Sequence, residues 1–453
     1  MSQSLADFIR ANAATGANTA FGAVTFETTT DGNSSIPAPT SSPARLDIFG
    51  AGSAPLTVPA GYAVVDNQNS TAPVNGSTGV AFYQGDKAGQ SFYGSAGGSG
   101  TIIATGGSNT IVLPNSGSGN YEIVAGVVDA GAATLTSQAS TGNLISLGSG
   151  NDTVAAGLGR NTILLGSGAD QVASEGADTI VGGSGAATIS ATGFGGLVFG
   201  GAGNLTFINA GGSATIVGTG GASSISGGTG SIEVFGGAGT GVATGGTAGG
   251  NILVAQTGAM TLVGGGVNDQ LYAGGAAGDR LVASTVSGGQ STLSASGSTG
   301  NNVLFGSSGA VLLVAGQGND TIVAGSGVST IFGGTTAADS TAAFAGSGND
   351  VYVGGAASSF IQASTGTLAS FEGSGATSYD LANGSVGGAL SVYGFKATDS
   401  FNLSGYATSA AANAVSSATT TGGSTSFVLS DNTHVTLVNF TGLTSSSFHT
   451  TGA

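Results

Sequence analysis

Four short segments of this 453-residue chain place an aspartate directly after a glycine-rich turn: Gly148-Ser149-Gly150-Asn151-Asp152, Gly166-Ser167-Gly168-Ala169-Asp170, Gly316-Gln317-Gly318-Asn319-Asp320 and Gly346-Ser347-Gly348-Asn349-Asp350. Two more acids, Asp269 and Asp279, follow the glycines at 265 and 274 at altered spacing. Carboxylates beside the carbonyl groups of a tight turn make a hard-oxygen donor set, which suits a divalent cation. The chain as a whole calls for such a counter-charge, with 22 acidic residues against six basic ones and a net charge of −16. The same residues also read as plain turn chemistry, because glycine reaches conformations other residues avoid and Asn or Asp side chains bond to nearby backbone.

Other chemistries find little support. An acidic chain with so few basic residues cannot neutralise nucleic-acid phosphate or an anionic membrane. The two histidines, His434 and His449, lie in the last twenty residues, so no HExxH zinc site exists and a histidine-based triad would have to come from the tail. No Gly-x-Ser-x-Gly elbow or Gly-x-x-x-x-Gly-Lys phosphate loop occurs despite 88 glycines. No stretch is long enough to span a bilayer. With no cysteine a disulfide scaffold is excluded. The expectation is a protein that is not an enzyme, with no catalytic residues, no organic cofactor, no nucleic-acid partner and no membrane insertion.

The elements that must hold the aspartates show themselves as a period of nine. Ile180, Ile189, Val198, Phe207, Ile216, Ile225 and Val234 stand nine residues apart, and Val154, Ile163 and Val172 form a second series offset by one residue, the slip falling near residues 175–178. Between these apolar positions the chain returns to Gly-Gly or Gly-x-Gly, as at 182–185, 200–203 and 236–239. Each nonamer therefore reads as a six-residue turn and a three-residue strand with its middle side chain inward, and two nonamers make one coil. Asp152 and Asp170, eighteen residues apart, become stacked neighbours. The fold class expected is all-β: a parallel β-roll or β-helix solenoid of glycine-rich nonapeptide repeats over 91–375. Residues 1–45 read as a short helix, opened by Ser4 and carrying Leu5, Phe8 and Ile9 on one face, then a linker marked by Pro37, Pro39 and Pro43. Residues 46–90 read as an N-terminal β segment. Residues 376–453 read as a C-terminal β cap, with a hairpin of Phe427–Leu429 and His434–Val438 around an Asp431-Asn432 turn.

The Gly-x-Gly-x-Asp segments resemble the nonapeptide of the RTX (repeats-in-toxin) family. The resemblance implies that turns of neighbouring coils hold Ca²⁺ through aspartate carboxylates and backbone carbonyls. It is incomplete: Asn161, Ala187, Leu205 and Ser329 stand where the family has aspartate. A few calcium sites are therefore expected, at Asp152, Asp170, Asp320, Asp350, Asp269 and Asp279, with the remaining turns held by backbone hydrogen bonds alone. The segment 399–406, followed by 427–437, is also similar to the ends of RTX proteins exported by type I secretion. That implies an uncleaved C-terminal signal and an extracellular or cell-surface location on a bacterium, in keeping with residues 1–14, which lack the basic start and apolar run of a cleavable leader.

Two functions of different class fit these features. The first is an extracellular structural protein, a homo-oligomer of polymeric kind that forms a filament, surface layer or biofilm matrix, because solenoid ends are sheet edges that must be capped or paired. The second is an adhesin-like rod that binds polysaccharide or ice through outward rows of threonine, namely Thr153, Thr162, Thr179, Thr188, Thr215, Thr321 and Thr330. Threonine is equally a favoured strand residue in its own right.

Overall fold

The computed structural model describes residues 25–30, 35–49, 53–85, 87–104, 109–113, 121–125, 134–137, 142–193, 196–218, 220–384 and 388–451. The helix expected at residues 4–9 lies outside them. The chain divides into two compact units, Met1–Ile225 and Ser226–Ala453.

In the first unit the chain winds through two ladders of parallel strands. One passes through Ala44–Phe49, Tyr62–Asn67, Phe82–Gly85, Gly100–Ala104, Tyr121–Ala125 and Leu144–Ser146, then Thr162–Leu164, Thr179–Val181 and Leu197–Phe199. The other runs from Leu56–Thr57 through Ser91–Tyr93 and Thr153–Ala156 to Leu205–Asn209. The same pairing crosses residue 91, where the repeats were expected to begin. It also reaches back into the expected linker, because Thr25–Thr30 pairs in parallel with Ala44–Phe49. Sequence periodicity misses these early coils because their lengths vary: Val64 pairs with Phe82 at 18 residues, Phe82 with Thr101 at 19 and Ile102 with Ile123 at 21.

The nine-residue period becomes an alternation between ladders. Ile163, Ile180 and Val198 align in one, and Val154, Val172, Ile189 and Phe207 in the other, all buried. Each coil adds about two such side chains to a core one residue thick, and each is worth roughly 1.5–3 kcal/mol of burial. The slip is a single coil of 17 residues, pairing Ile163 with Ile180, where its neighbour pairs Ile145 with Ile163 at 18. Coils stack through the turns so closely that a Cβ on Gly166 would lie 1.4 Å from the Gly148 carbonyl oxygen, and one on Gly168 1.6 Å from that of Gly150. No other residue fits there.

The second unit repeats the scheme with longer coils. Leu271 pairs with Leu293, Leu281 with Leu304 and Ile331 with Tyr352, which is why the period fades from the sequence after Val234. The expected hairpin is present: Ser424–Val428 runs antiparallel to His434–Val438, with Asn432 at φ 67° in the turn. His434–Val438 itself continues the parallel ladder beside Ala389–Tyr393. A short strand, Thr419–Thr421, closes the outer side of the hairpin, and helix α1 (Ala410–Ser417) packs against the hairpin and the last strand, Phe448–Thr451. Beneath them Phe395, Phe401, Phe427 and Phe448 plug the core, Phe401 lying 5.2 to 5.6 Å from each of the others. A short polar edge strand and an aromatic plug are the usual means by which a sheet end avoids further pairing.

Candidate calcium turns

The aspartates end up inside the molecule. Asp152, Asp170, Asp269, Asp279, Asp320 and Asp350 are each at most 2% exposed. The reason is local: the residue closing the glycine turn leads into the next strand with its side chain turned toward the coil interior, two residues before the inward apolar residue and on the same face.

Five of the six share one geometry. One carboxylate oxygen accepts the backbone N–H of the residue one coil earlier: Asp152 for Asp170 (3.0 Å), Asn251 for Asp269 (3.0 Å), Met260 for Asp279 (2.8 Å), Asn302 for Asp320 (2.8 Å) and Ser329 for Asp350 (3.0 Å). The other oxygen accepts the N–H of a glycine opening its own turn, Gly166, Gly266, Gly274, Gly316 or Gly346. Each aspartate thus closes its turn and ties two coils together. An ionised carboxylate has about four acceptor positions, so capacity remains on both oxygens.

Charge is less well provided for. Burial raises the carboxyl of Asp170 above its ordinary value, and the neighbouring Asp152 raises it further, against the pull of the two N–H groups. Burial likewise raises Asp279, Asp320 and Asp350. No cationic side chain contributes at any of these four. Asp152 and Asp170 come together as stacked neighbours, as their spacing predicts. The other four do not gather: Asp320 lies between Asn302 and Thr341, Asp350 between Ser329 and Leu368, Asp269 is tied to Asn251 and Ser291, and Asp279 to Met260 and Asn302. Among the described residues no three acidic or histidine side chains converge.

The donor set at 148–170 fits calcium on its own chemistry. Two carboxylates stack here, no cationic side chain contributes at Asp170, and the carbonyls of Gly148 and Gly150 face the next turn, so all the available donors are hard oxygens. When bound, Ca²⁺ supplies the missing positive charge. Asp152 and Asp170, with the turn carbonyls, are the residues that would hold it.

Two expectations need correction. Turns without aspartate are not held by backbone bonds alone. Asn161 accepts the Asn143 N–H at 3.0 Å and donates its side-chain amide to Asp178 at 2.9 Å, and Thr341 accepts the Gly334 N–H at 2.9 Å. At Ala187 and Leu205 the position is filled by a buried apolar side chain that joins the core. The threonines form short rows only, the longest aligning Thr110, Thr134 and Thr153. In one ladder Thr162 and Thr179 are flanked by Leu144 and Leu197, and in the other Thr153 is separated from Thr188 by Gln171.

Sequence reading missed Asp178 and Asp399. Asp178 accepts the Asn161 N–H at 2.7 Å and the Ser174 hydroxyl at 2.6 Å, and burial raises its carboxyl. It sits in the 17-residue coil, one residue off the eighteen-residue spacing. Asp399 accepts the Thr377 N–H at 3.0 Å, and its turn has Phe395 and Ala397 where the turn of Asp350 has Gly346 and Gly348. A search for acids that follow any turn by one coil of variable length would have found both.

The RTX calcium-binding nonapeptide repeat matches the chain in four copies, at residues 140–172, 172–189, 296–331 and 344–367. These spans contain Asp152, Asp170, Asp178, Asp320 and Asp350. No curated protein and no solved structure matches the chain.

Proposed function

On the premise that this is an RTX protein, a calcium-binding repeat protein built as a β-solenoid, we propose that it is secreted by a bacterium and works as an extracellular structural protein that associates with copies of itself. Secretion is consistent with the RTX repeats, and among the described residues no helix is long and apolar enough to cross a membrane. Export through a signal within residues 376–453 is part of the same proposal. The repeat solenoid is a structural fold, and the reading assigns it no catalytic role.

One observation carries the proposal of self-association. In the unit Ser226–Ala453, the outward position following each inward residue of one ladder aligns Tyr272, Ser294, Val314, Phe332, Val353, Phe371 and Tyr393 in register. Phe332, Phe371 and Tyr393 are each about 40% exposed, and Phe371 stacks on Tyr393 at 4.6 Å. At about 4.8 Å per rung the row extends roughly 30 Å. From Val314 to Tyr393 the row is apolar without a break, and an outward apolar row of that kind marks a contact surface. The other ladder of the same unit turns Val282, Phe305, Val323 and Phe344 outward in register. Two apolar faces on one unit let association continue past a dimer. A second copy of this acidic chain is the occupant the charges favour, because neither row contains a charged residue and like-charged chains meet most easily through uncharged faces.

Electron microscopy and sedimentation velocity of the purified protein in millimolar Ca²⁺ test the reading. Filaments or sheets are expected from the native chain, and short monodisperse particles from the double variant Phe332→Asp, Phe371→Asp. Monodisperse particles from the native chain, with and without calcium, would end the self-association reading. The adhesin reading rests on shorter rows, Thr110, Thr134 and Thr153 in one ladder with Thr188 and Thr206 beyond Gln171.

A further inference from the structure

The turn Gly373-Ser374-Gly375-Ala376-Thr377 differs from its relatives in the same unit. It has threonine where Asp350 closes the turn of Gly346, while Asp399, one coil on, keeps the carboxylate bonded to the Thr377 N–H at 3.0 Å. Elsewhere the backbone of the next coil lies directly on the turn, as where Ser374 N–H donates to the Gly355 carbonyl. After Tyr393 the chain departs from that path. Gly394 takes φ 83°, and Phe395 turns inward onto Phe401. The backbone therefore no longer covers Gly373 and Gly375.

Their carbonyl oxygens are taken by a side chain. The Nζ of Lys396 lies 2.7 Å from the Gly373 oxygen and 2.7 Å from the Gly375 oxygen. The backbone N–H of the same residue donates to the Asp399 carboxylate at 2.8 Å. An ammonium is thus held by the first and third carbonyls of a glycine turn, in the turn that carries the next coil's aspartate. In the corresponding turn at 346–350 the Asp350 carboxyl is buried, and no cationic side chain acts on it. Lysine is one of only six basic residues in the whole sequence, so its placement here is not a matter of general abundance.

We infer that the turn Gly373–Thr377, closed by Asp399, is a cation site whose cation is built into the chain as the Lys396 ammonium. The point between the first and third carbonyls is where a glycine turn of this solenoid accepts positive charge, and Lys396 fills it permanently. The C-terminal coils beneath the hairpin and aromatic plug then need no metal ion to neutralise this turn. They stay ordered at calcium concentrations that leave the aspartate turns uncompensated. A lysine occupies the site because an ammonium tethered by four methylenes carries charge and three donors without a binding equilibrium.

Hydrogen exchange of the full-length protein in chelator and in millimolar Ca²⁺ tests this, at concentrations low enough that self-association plays no part. Native protein is expected to protect the amides of Thr377–Ala382 and Ser400–Ser404 equally in both buffers. Lys396→Met is expected to lose about tenfold or more of that protection in chelator and to regain it with Ca²⁺, binding one more ion than the native chain. Native-like protection of the variant in chelator would overturn the inference. So would protection lost in chelator and not regained with Ca²⁺, which would make Lys396 a hydrogen-bonding cap only. If Lys396→Met does not fold, Lys396→Arg and Lys396→Gln decide the matter in chelator. Protection by arginine and not by glutamine supports a cation site, and equal behaviour of the two refutes it.

Discussion

Two regions of the Met1–Ile225 unit bury aspartates in different ways. In the early coils Asp47 and Asp66, 3% and 5% exposed, share a buried Arg45 whose guanidinium donates to them at 2.6 and 2.9 Å. Around them the polar interior is amide and hydroxyl: the Asn67 side-chain amide donates to Tyr83, and that of Gln90 to the Asn67 carbonyl. In the glycine turns at 148–170, Asp152 and Asp170 are as deeply buried, and the neighbouring Asp152 strengthens the resistance of Asp170 to ionising. Burial raises Asp47 too, by more than Arg45 lowers it, so even a close partner only partly repays desolvation. The early coils keep their counter-charge within the protein, whereas Ca²⁺ bound at the glycine turns would bring theirs from solution.

The largest effect expected from breaking this contrast is in the early coils. Replacing Arg45 with methionine leaves two buried carboxylates without a cation, and should cost about 3–5 kcal/mol. Native-state hydrogen exchange over 44–67 reads it, and millimolar calcium should restore none of it. A loss under about 1 kcal/mol, or one reversed by calcium, would mean that the ion pair is not what holds these coils.

Removing calcium should act on the other region. Chelation is expected to lower the protection of the strands at 144–174 while leaving 44–93 unchanged. For an ion held at a hundred times its dissociation constant the difference is about 2.7 kcal/mol. Equal loss in both regions would show that the unit responds to calcium as a whole. The pair can then be split by Asp152→Asn. With one carboxylate fewer, the calcium needed to protect 144–174 should rise about tenfold. In chelator the variant should be no less stable than the native chain, because the like charge that raises Asp170 is gone. A variant weakened equally in both buffers would make Asp152 a purely structural residue.

The parallel solenoid and the stacked Asp152–Asp170 pair were legible because each rests on strict spacing: an inward residue every nine positions, an acid every eighteen. What escaped was whatever broke count. Asp178 is hidden by a 17-residue coil, the early coils by variable length, and Lys396 by being a lysine whose backbone N–H takes the part that a glycine N–H plays in the five aspartate turns. Burial was also illegible. A turn aspartate looks exposed in sequence, and only the inward direction of the first strand residue shows that its charge is out of water. The Asn161 position, read as a lost site, keeps the coil-to-coil bonds, because those bonds need an acceptor and not a charge.

The smallest effect, and the one that separates the two charge arrangements most cleanly, is the sign of the pH dependence. The carboxyls of Asp170, Asp178, Asp279, Asp320 and Asp350 are raised by burial in the folded chain above the value they take when unfolded, near 3.9. Between the unfolded and folded values the folded state binds more protons, so without calcium its stability falls as pH rises through that window and is greatest below it. Calcium reverses the order. Loaded turns need their carboxylates ionised, so protons compete with the ion, and stability is then lost as pH falls toward and below the unfolded value. Urea unfolding between pH 4 and 7, in chelator and in millimolar Ca²⁺, should give slopes of opposite sign. Parallel slopes in the two buffers would place the calcium away from these aspartates and leave them as turn clamps alone.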